Sequence, residues 1–209
     1  IRRATHGVVH AVQADLNSDA GREALLAACP EPDILVNNNA GLSPGHLNDW
    51  DHGAWIAALE ANLLAAVLLM RHVLPGMRAR RFGRIVNITS ATVKTPRASL
   101  GLSTAARAGL TAVSKALSGE AVIDNVTINQ LLPDRFDTAR QEFMARRLMV
   151  EQQLTLDQAR HHLAGGLPAR RLGRPEEFGA TCAFLCSAHA GFITGQNLQL
   201  DGGAYTGLI

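Results

Sequence analysis

Short β-branched runs alternate with longer helical segments along the whole chain, and this alternation restricts the fold more than any other feature. Val8 to Ala14 (VVHAVQA), Asp33 to Asn37 (DILVN), Arg84 to Ser90 (RIVNITS), Val126 to Leu132 and Asn197 to Asp201 read as strands. Asn17 and Ser18 can cap a helix running through Arg22 to Ala28, which Pro30 and Pro32 stop. Trp55, Leu59, Asn62, Leu63, Ala66, Met70 and Val73 recur at helical spacing, predicting a long helix over Ala54 to Leu74 that Pro75-Gly76 kinks or ends. Leu100 to Gly119 is Ala-rich and helical, Thr138 to Ala164 is polar and mostly helical, and Pro175 to Ser187 is a capped helix. Strands separated by helices need crossovers, so the predicted class is α/β: a doubly wound parallel sheet covered on both faces. With 209 residues and no repeat, low-complexity tract or linker, residues 1–209 are expected to form a single domain.

Composition excludes several functions. A chain with 47% hydrophobic and 18% charged residues buries enough surface to fold, which rules out intrinsic disorder. A net charge of +2 leaves no electrostatic footprint for nucleic acid. Arg78, Arg80, Arg81 and Arg84 form a basic knot suited to a helix end, without interleaved aromatics. The longest strongly apolar stretch, Leu63 to Met70, is short for a bilayer, so no membrane partner is expected. Three cysteines and no charged-then-apolar leader point to a reducing, cytoplasmic compartment. Cys182 and Cys186, four apart on an apolar helix, read as buried core thiols; no metal site is expected. His161-His162 read as solvated.

Ligands of open parallel sheets bind beyond the carboxyl ends of the strands. The residues there are Asp15-Leu16, Asn37-Asn38-Asn39-Ala40-Gly41, Ser90, Pro133-Asp134 through Thr138, and Asp201-Gly202-Gly203. Turn formation explains any one of these alone. Five sets in register point to a crevice where backbone approaches a flat ligand and short side chains donate hydrogen bonds.

With these residues in place, the chain resembles the short-chain dehydrogenase/reductase family, close to its 3-oxoacyl-acyl-carrier-protein reductases. The resemblance rests on DILVNNNAG (33–41), the Asn62 helix, RIVNITS (84–90), NVTINQLLPDRFDT (125–138), LGRPEEFG (172–179) and FITGQNLQLDGG (192–203). It implies a Rossmann-like fold, NAD or NADP as cofactor, hydride transfer between nicotinamide and a small carbonyl or alcohol substrate, and a homodimer or homotetramer. Position by position, it implies that Asp15 and Leu16 meet the adenine, and that Asn37, Asn39 and Ala40 line the adenosine ribose and steady the central strand. It places Asn62 in a water-holding relay, Ser90 on the substrate oxygen, and Pro133, Phe136 and Thr138 in the loop over nicotinamide. The segment from Thr138 to Ala169 matches a lid, with Phe136, Phe143, Met144, Leu148 and Met149 as its apolar underside. The family's first residues matched here lie just before its third strand, so a preceding βαβ unit is expected in a longer native chain.

Three departures bear on activity. The family's catalytic Tyr and Lys, four residues apart, are replaced by Ser103 and Arg107, which keep the spacing and change both groups. A phenol of pKa about 10 can exchange protons beside an ammonium, whereas a serine alkoxide is far less accessible and arginine stays protonated. The only Tyr is Tyr205, and the only lysines are Lys94 and Lys115. Secondly, no two glycines are spaced two apart, so no Gly-rich phosphate loop is present. Asp134 also stands where the family has glycine, placing a negative charge near phosphates unless it points away. Two expectations follow: an oxidoreductase with Asn62, Ser90, Ser103 and Arg107 at the reacting carbon, Arg107 also binding ribose, or a non-catalytic member acting in ligand binding or oligomer assembly.

Overall fold

The computed structural model describes residues 7–39 and 41–208. Four parallel strands, β1 (Ile34–Asn37), β2 (Gly83–Ile88), β3 (Val126–Pro133) and β4 (Asn197–Leu200), form one sheet in the order β1-β2-β3-β4. Arg84 pairs with Ile34 on one side and with Thr127 on the other, and Leu131 pairs with Leu198. β2 is buried throughout and β3 nearly so, which their continuous apolar runs require of a sheet covered on both faces.

The expected strand over Val8 to Ala14 does not form, and these residues have no regular structure. A β-branched run becomes a strand only where a neighbour completes its hydrogen-bond ladder, and β1 has no second partner among the described residues. β1 is an edge strand whose Ile34 and Val36 are 46% and 44% exposed.

The helices follow their caps. Ser18 Oγ accepts the Gly21 amide at 3.1 Å and opens α1 (Asp19–Ala28). Asp51 opens α2 (His52–Leu59) through the Ala54 amide at 2.8 Å. A π-helical turn (Glu60–Leu64) joins α2 to α3 (Ala65–Ala79) without a break. Of the two expected outcomes at Pro75-Gly76, a kink or an end, the helix does not end there: Pro75 sits inside α3, which runs on to Ala79. The resulting helix, His52–Ala79, has a length and a mean hydropathy of 1.8 that would allow a membrane span, which the apolar stretch at 63–70 did not suggest. Its Ala66, Met70, Val73 and Met77 face instead packs against Ile85, Leu110, Val126 and Ile128 in the core.

α4 (Gly101–Ala121) covers the same sheet face. The polar segment after β3 is two helices, α5 (Ala139–Gln152) and α6 (Leu156–Gly165), packed on each other. α7 (Pro175–Cys186) covers the opposite sheet face, where Val86, Ile88, Leu131 and Leu185 form a second cluster. Cys182 and Cys186 are half-buried against it rather than fully buried. Arg84 is not part of an exposed basic knot. It is 1% exposed within β2, donates to the Ser187, Gly83 and Asn125 carbonyls, and lies 4.5 Å from the Phe82 ring centroid. Arg78 and Arg81 instead pair with Asp124, and Arg80 with Asp33.

Candidate active site

The carboxyl end of β1 is fixed by asparagines. Asn37, 8% exposed, donates to Asn87 Oδ1 at 2.7 Å, and Asn87 donates to Ser114 Oγ on α4 at 2.9 Å. Asn39 Nδ2 donates to the Ala61 carbonyl at 2.9 Å and to Asn17 Oδ1 at 3.2 Å, tying the loop to the π turn and to the segment before α1. Ala40 lies outside the described residues. Asp15 is exposed, and its Oδ1 accepts the Asn17 amide at 3.0 Å, so the carboxylate is engaged in its own turn. Half-buried Leu16 offers its carbonyl to Arg22 Nη1 at 2.7 Å.

At the end of β2 lie Ser90 and the anchor of the Ser103–Arg107 pair. Arg107 on α4 is 8% exposed; its Nη1 donates to the Ile88 and Thr89 carbonyls at 2.8 and 3.1 Å, and its Nε donates to Ser103 Oγ at 3.1 Å. The Ser103–Arg107 pair is thereby tied to the two residues immediately before Ser90. Ser90 Oγ accepts from the Thr92 amide at 3.2 Å and from Thr92 Oγ1 at 2.9 Å, which leaves its own proton for another acceptor. Burial, and after it the charge of Arg140, lower the Arg107 pKa to about 10, so the guanidinium remains protonated at neutral pH. Asn62, 5% exposed in the π turn, has no hydrogen-bond partner for either amide atom among the described residues.

β3 ends at Pro133, and Asp134 follows it with a partner of opposite charge. Its side chain, 10% exposed, pairs with Arg97 at 3.2 Å, and its amide donates to the Leu200 carbonyl at 3.2 Å. Phe136 bridges to Gly173 and stacks edge-on with Phe178 at 5.4 Å. The bonds of that bridge use the Arg135 carbonyl and the Asp137 amide, leaving the Phe136 backbone free among the described residues. Thr138 is the N-cap residue of α5, yet its hydroxyl makes no capping bond. The proposed apolar underside of the lid is not continuous: Phe143 is 64% exposed and Met144 37%, whereas Leu148 and Met149 are half-buried. Tyr205 does meet a lysine, with Lys94 Nζ 5.2 Å from its ring centroid, but outside the YxxxK arrangement.

Sequence reasoning missed Thr92, Arg97 and Arg140. Arg97 and Asp134 pair across 37 positions, and nothing local marks such a partner. Arg140, on the first turn of α5, reaches the loop after β1: a Cβ on Gly41 would lie 2.7 Å from its Nη1.

Residues 2–205 match the enoyl-(acyl carrier protein) reductase family. The NADPH-dependent reductase BacG of Bacillus subtilis is 30% identical over 176 residues, covering 84% of this chain and 68% of that protein. The 3-oxoacyl-[acyl-carrier-protein] reductase FabG of Vibrio cholerae is 34% identical over 188 residues, covering 88% and 72%. Among solved structures, L-sorbose reductase of Gluconobacter frateurii, complexed with NADPH and L-sorbose, superposes with a TM-score of 0.87 at 28% identity, covering 93% of this chain and 76% of that one. The chain spans about two thirds of the length of the curated relatives it matches. The match of nearly the whole chain, the parallel sheet and the superposition lead to one conclusion: this chain belongs to the short-chain dehydrogenase/reductase family and is FabG-like within it.

Proposed function

We propose that this chain belongs to an NAD(P)-dependent reductase that moves a hydride between nicotinamide and the carbonyl or alcohol carbon of a small substrate, with Ser103 and Arg107 in place of the usual Tyr and Lys. The observation that carries the reading is the anchoring of Arg107 to the Ile88 and Thr89 carbonyls, which holds Ser103 beside the end of the strand that carries Ser90. The nicotinamide half of the crevice suits the cofactor: the Phe136 backbone and the Thr138 hydroxyl are unengaged there. When bound, the nicotinamide supplies or accepts the hydride.

The chain's own residues then handle the oxygen. Ser90 Oγ, accepting from Thr92, keeps its proton and donates a hydrogen bond to the substrate oxygen. Ser103 Oγ accepts from Arg107 Nε and so points its own proton outward, and the adjacent cation favours the oxyanion left once that proton is given. Arg107 holds the charge without relaying protons, so reprotonation of Ser103 falls to water. The buried Asn62 amide, with both atoms unpartnered by protein, is suited to hold such a water. The groove between α3 and α4, where Val67, Leu74, Val113 and Leu117 lie beside Arg71, Arg78 and Glu120, offers a mixed apolar and charged surface for assembly as a homodimer or homotetramer.

Calorimetry with NADPH and NADH tests the cofactor, and turnover of a carbonyl substrate, lost in Ser90→Ala, tests the chemistry. Binding of neither nucleotide overturns the reading. Cofactor binding with no turnover of any carbonyl compound would favour a non-catalytic member instead, the reading that the missing phenol favours.

A further inference from the structure

Two guanidinium groups, neither in an ion pair among the described residues, stand at the ends of adjacent strands. Arg107 uses Nε and Nη1 on Ser103 and on the Ile88 and Thr89 carbonyls at the end of β2, and its Nη2 has no partner among the described residues. Arg140 enters from the first turn of α5 and lies against Gly41, just beyond the end of β1. β1 and β2 are adjacent, with Asn37 paired to Asn87, so these two strand ends face one crevice. The charge of Arg140 is felt at Arg107.

Most arginines with acidic neighbours on this surface are paired, which makes Arg140 informative. The two carboxylates nearest to it in sequence, Asp137 and Glu142, both pair with Arg160, the latter at 2.9 Å, and Glu142 also pairs with Arg146 at 2.8 Å. Asp134, the remaining acid of that loop, is held by Arg97. No ion pair is formed by Arg107 or Arg140 among the described residues. Like charges at neighbouring strand ends, one of them buried, raise the energy of the free protein, and an anion held by both would relieve it.

We propose that Arg107 and Arg140 form a two-guanidinium seat for an oxyanion, a phosphate or carboxylate group, across the carboxyl ends of β1 and β2. Arginine suits this role because its fork presents parallel N–H donors to two oxygens, and such charge-assisted bonds are the strong ones. The anion has two chemically equivalent sources: a phosphate of the nucleotide, or a carboxylate carried by the carbonyl substrate. The inference deepens the proposed function but does not depend on turnover.

The test is calorimetric binding of inorganic pyrophosphate and, separately, of acetoacetate and its methyl ester, to the full chain and to Arg140→Gln and Arg140→Lys. Arg140 is exposed, so neither variant threatens the fold, which circular dichroism verifies. The seat predicts at least about tenfold weaker binding of one anion in Arg140→Gln and partial retention in Arg140→Lys. An effect on pyrophosphate alone assigns the seat to the nucleotide. An effect on acetoacetate but not on its ester assigns it to an acidic substrate. Equal binding of both anions by wild type and Arg140→Gln, or binding of neither by wild type, overturns the seat. Should pyrophosphate bind through Arg140 while NADPH and NADH do not bind, the seat stands and the reductase reading fails; NADPH binding with no Arg140 dependence for either anion gives the reverse.

Discussion

In the proposed site, Ser103 and Arg107 stand in place of the phenol and ammonium at the reacting carbon. Ser103 and Arg107 lie four apart on α4 and are joined at 3.1 Å, the contact that neighbouring turns of a helix make available. Restoring the phenol and the ammonium together, by Ser103→Tyr with Arg107→Lys, is therefore expected to raise kcat for carbonyl reduction by at least about tenfold, within the 10²–10⁴-fold that a general acid contributes. Steady-state NADPH oxidation measures it, and no gain in a variant that still binds cofactor would show that the site has diverged beyond these positions. Residues at this scale were legible where the signal was local: the 103/107 spacing and Ser90 after its strand both stood in the sequence. The partner of Asp134 was not legible: Arg97 comes from a loop 37 positions earlier, and no pattern in the chain announces that pairing.

Among the elements, the helices were legible from their caps and the irregularities were not. Helical spacing located His52–Ala79, but the π turn at Glu60–Leu64 has no composition of its own, and Pro75 could as well have ended the helix as been carried inside it. The strand expected at 8–14 failed for a different reason: strand formation depends on partners that a single run of residues cannot reveal. α7 is the element whose start is most electrostatic. Pro175 occupies its first turn, and Glu177 Oε2 accepts the Arg174 amide at 2.8 Å while its carboxylate pairs with Arg171 at 2.7 Å. These contacts, the Arg171 hydrogen bond foremost, hold the Glu177 carboxyl near pKa 2 rather than its ordinary 4.5. A depressed folded-state pKa stabilises fully above the unfolded value, and the contribution disappears as pH falls from 4.5 through about 2. Urea midpoints measured across that window should fall more steeply for the wild type than for Glu177→Gln, which carries no titrating group at that site; parallel curves would show that the capping contacts do not matter to stability.

Across the whole molecule, one row of polar side chains runs through the sheet just beneath the crevice. Asn37, Asn87, Gln130 and Asn197 stand side by side in register on four successive strands. The first half of the row is satisfied, through the Asn37–Asn87 bond at 2.7 Å and the Asn87–Ser114 bond at 2.9 Å. The second half is not: Gln130 is fully buried with neither amide atom bonded, and Asn197 Oδ1 is buried without a partner. Asn87 and Gln130, both fully buried but oppositely satisfied, make the row a test of its own energetics. Gln130→Leu, nearly equal in volume, removes two buried unpartnered polar atoms and is expected to stabilise the fold by about 1–3 kcal/mol. Asn87→Leu deprives Asn37 and Ser114 of their partner and is expected to destabilise by a similar amount. Urea unfolding of both variants decides it: a loss of stability in Gln130→Leu would mean that the amide is satisfied in solution. If Gln130→Leu is more stable and binds nicotinamide nucleotide less tightly, the buried amide serves the crevice above it, where a local cost in stability is retained for what the site binds.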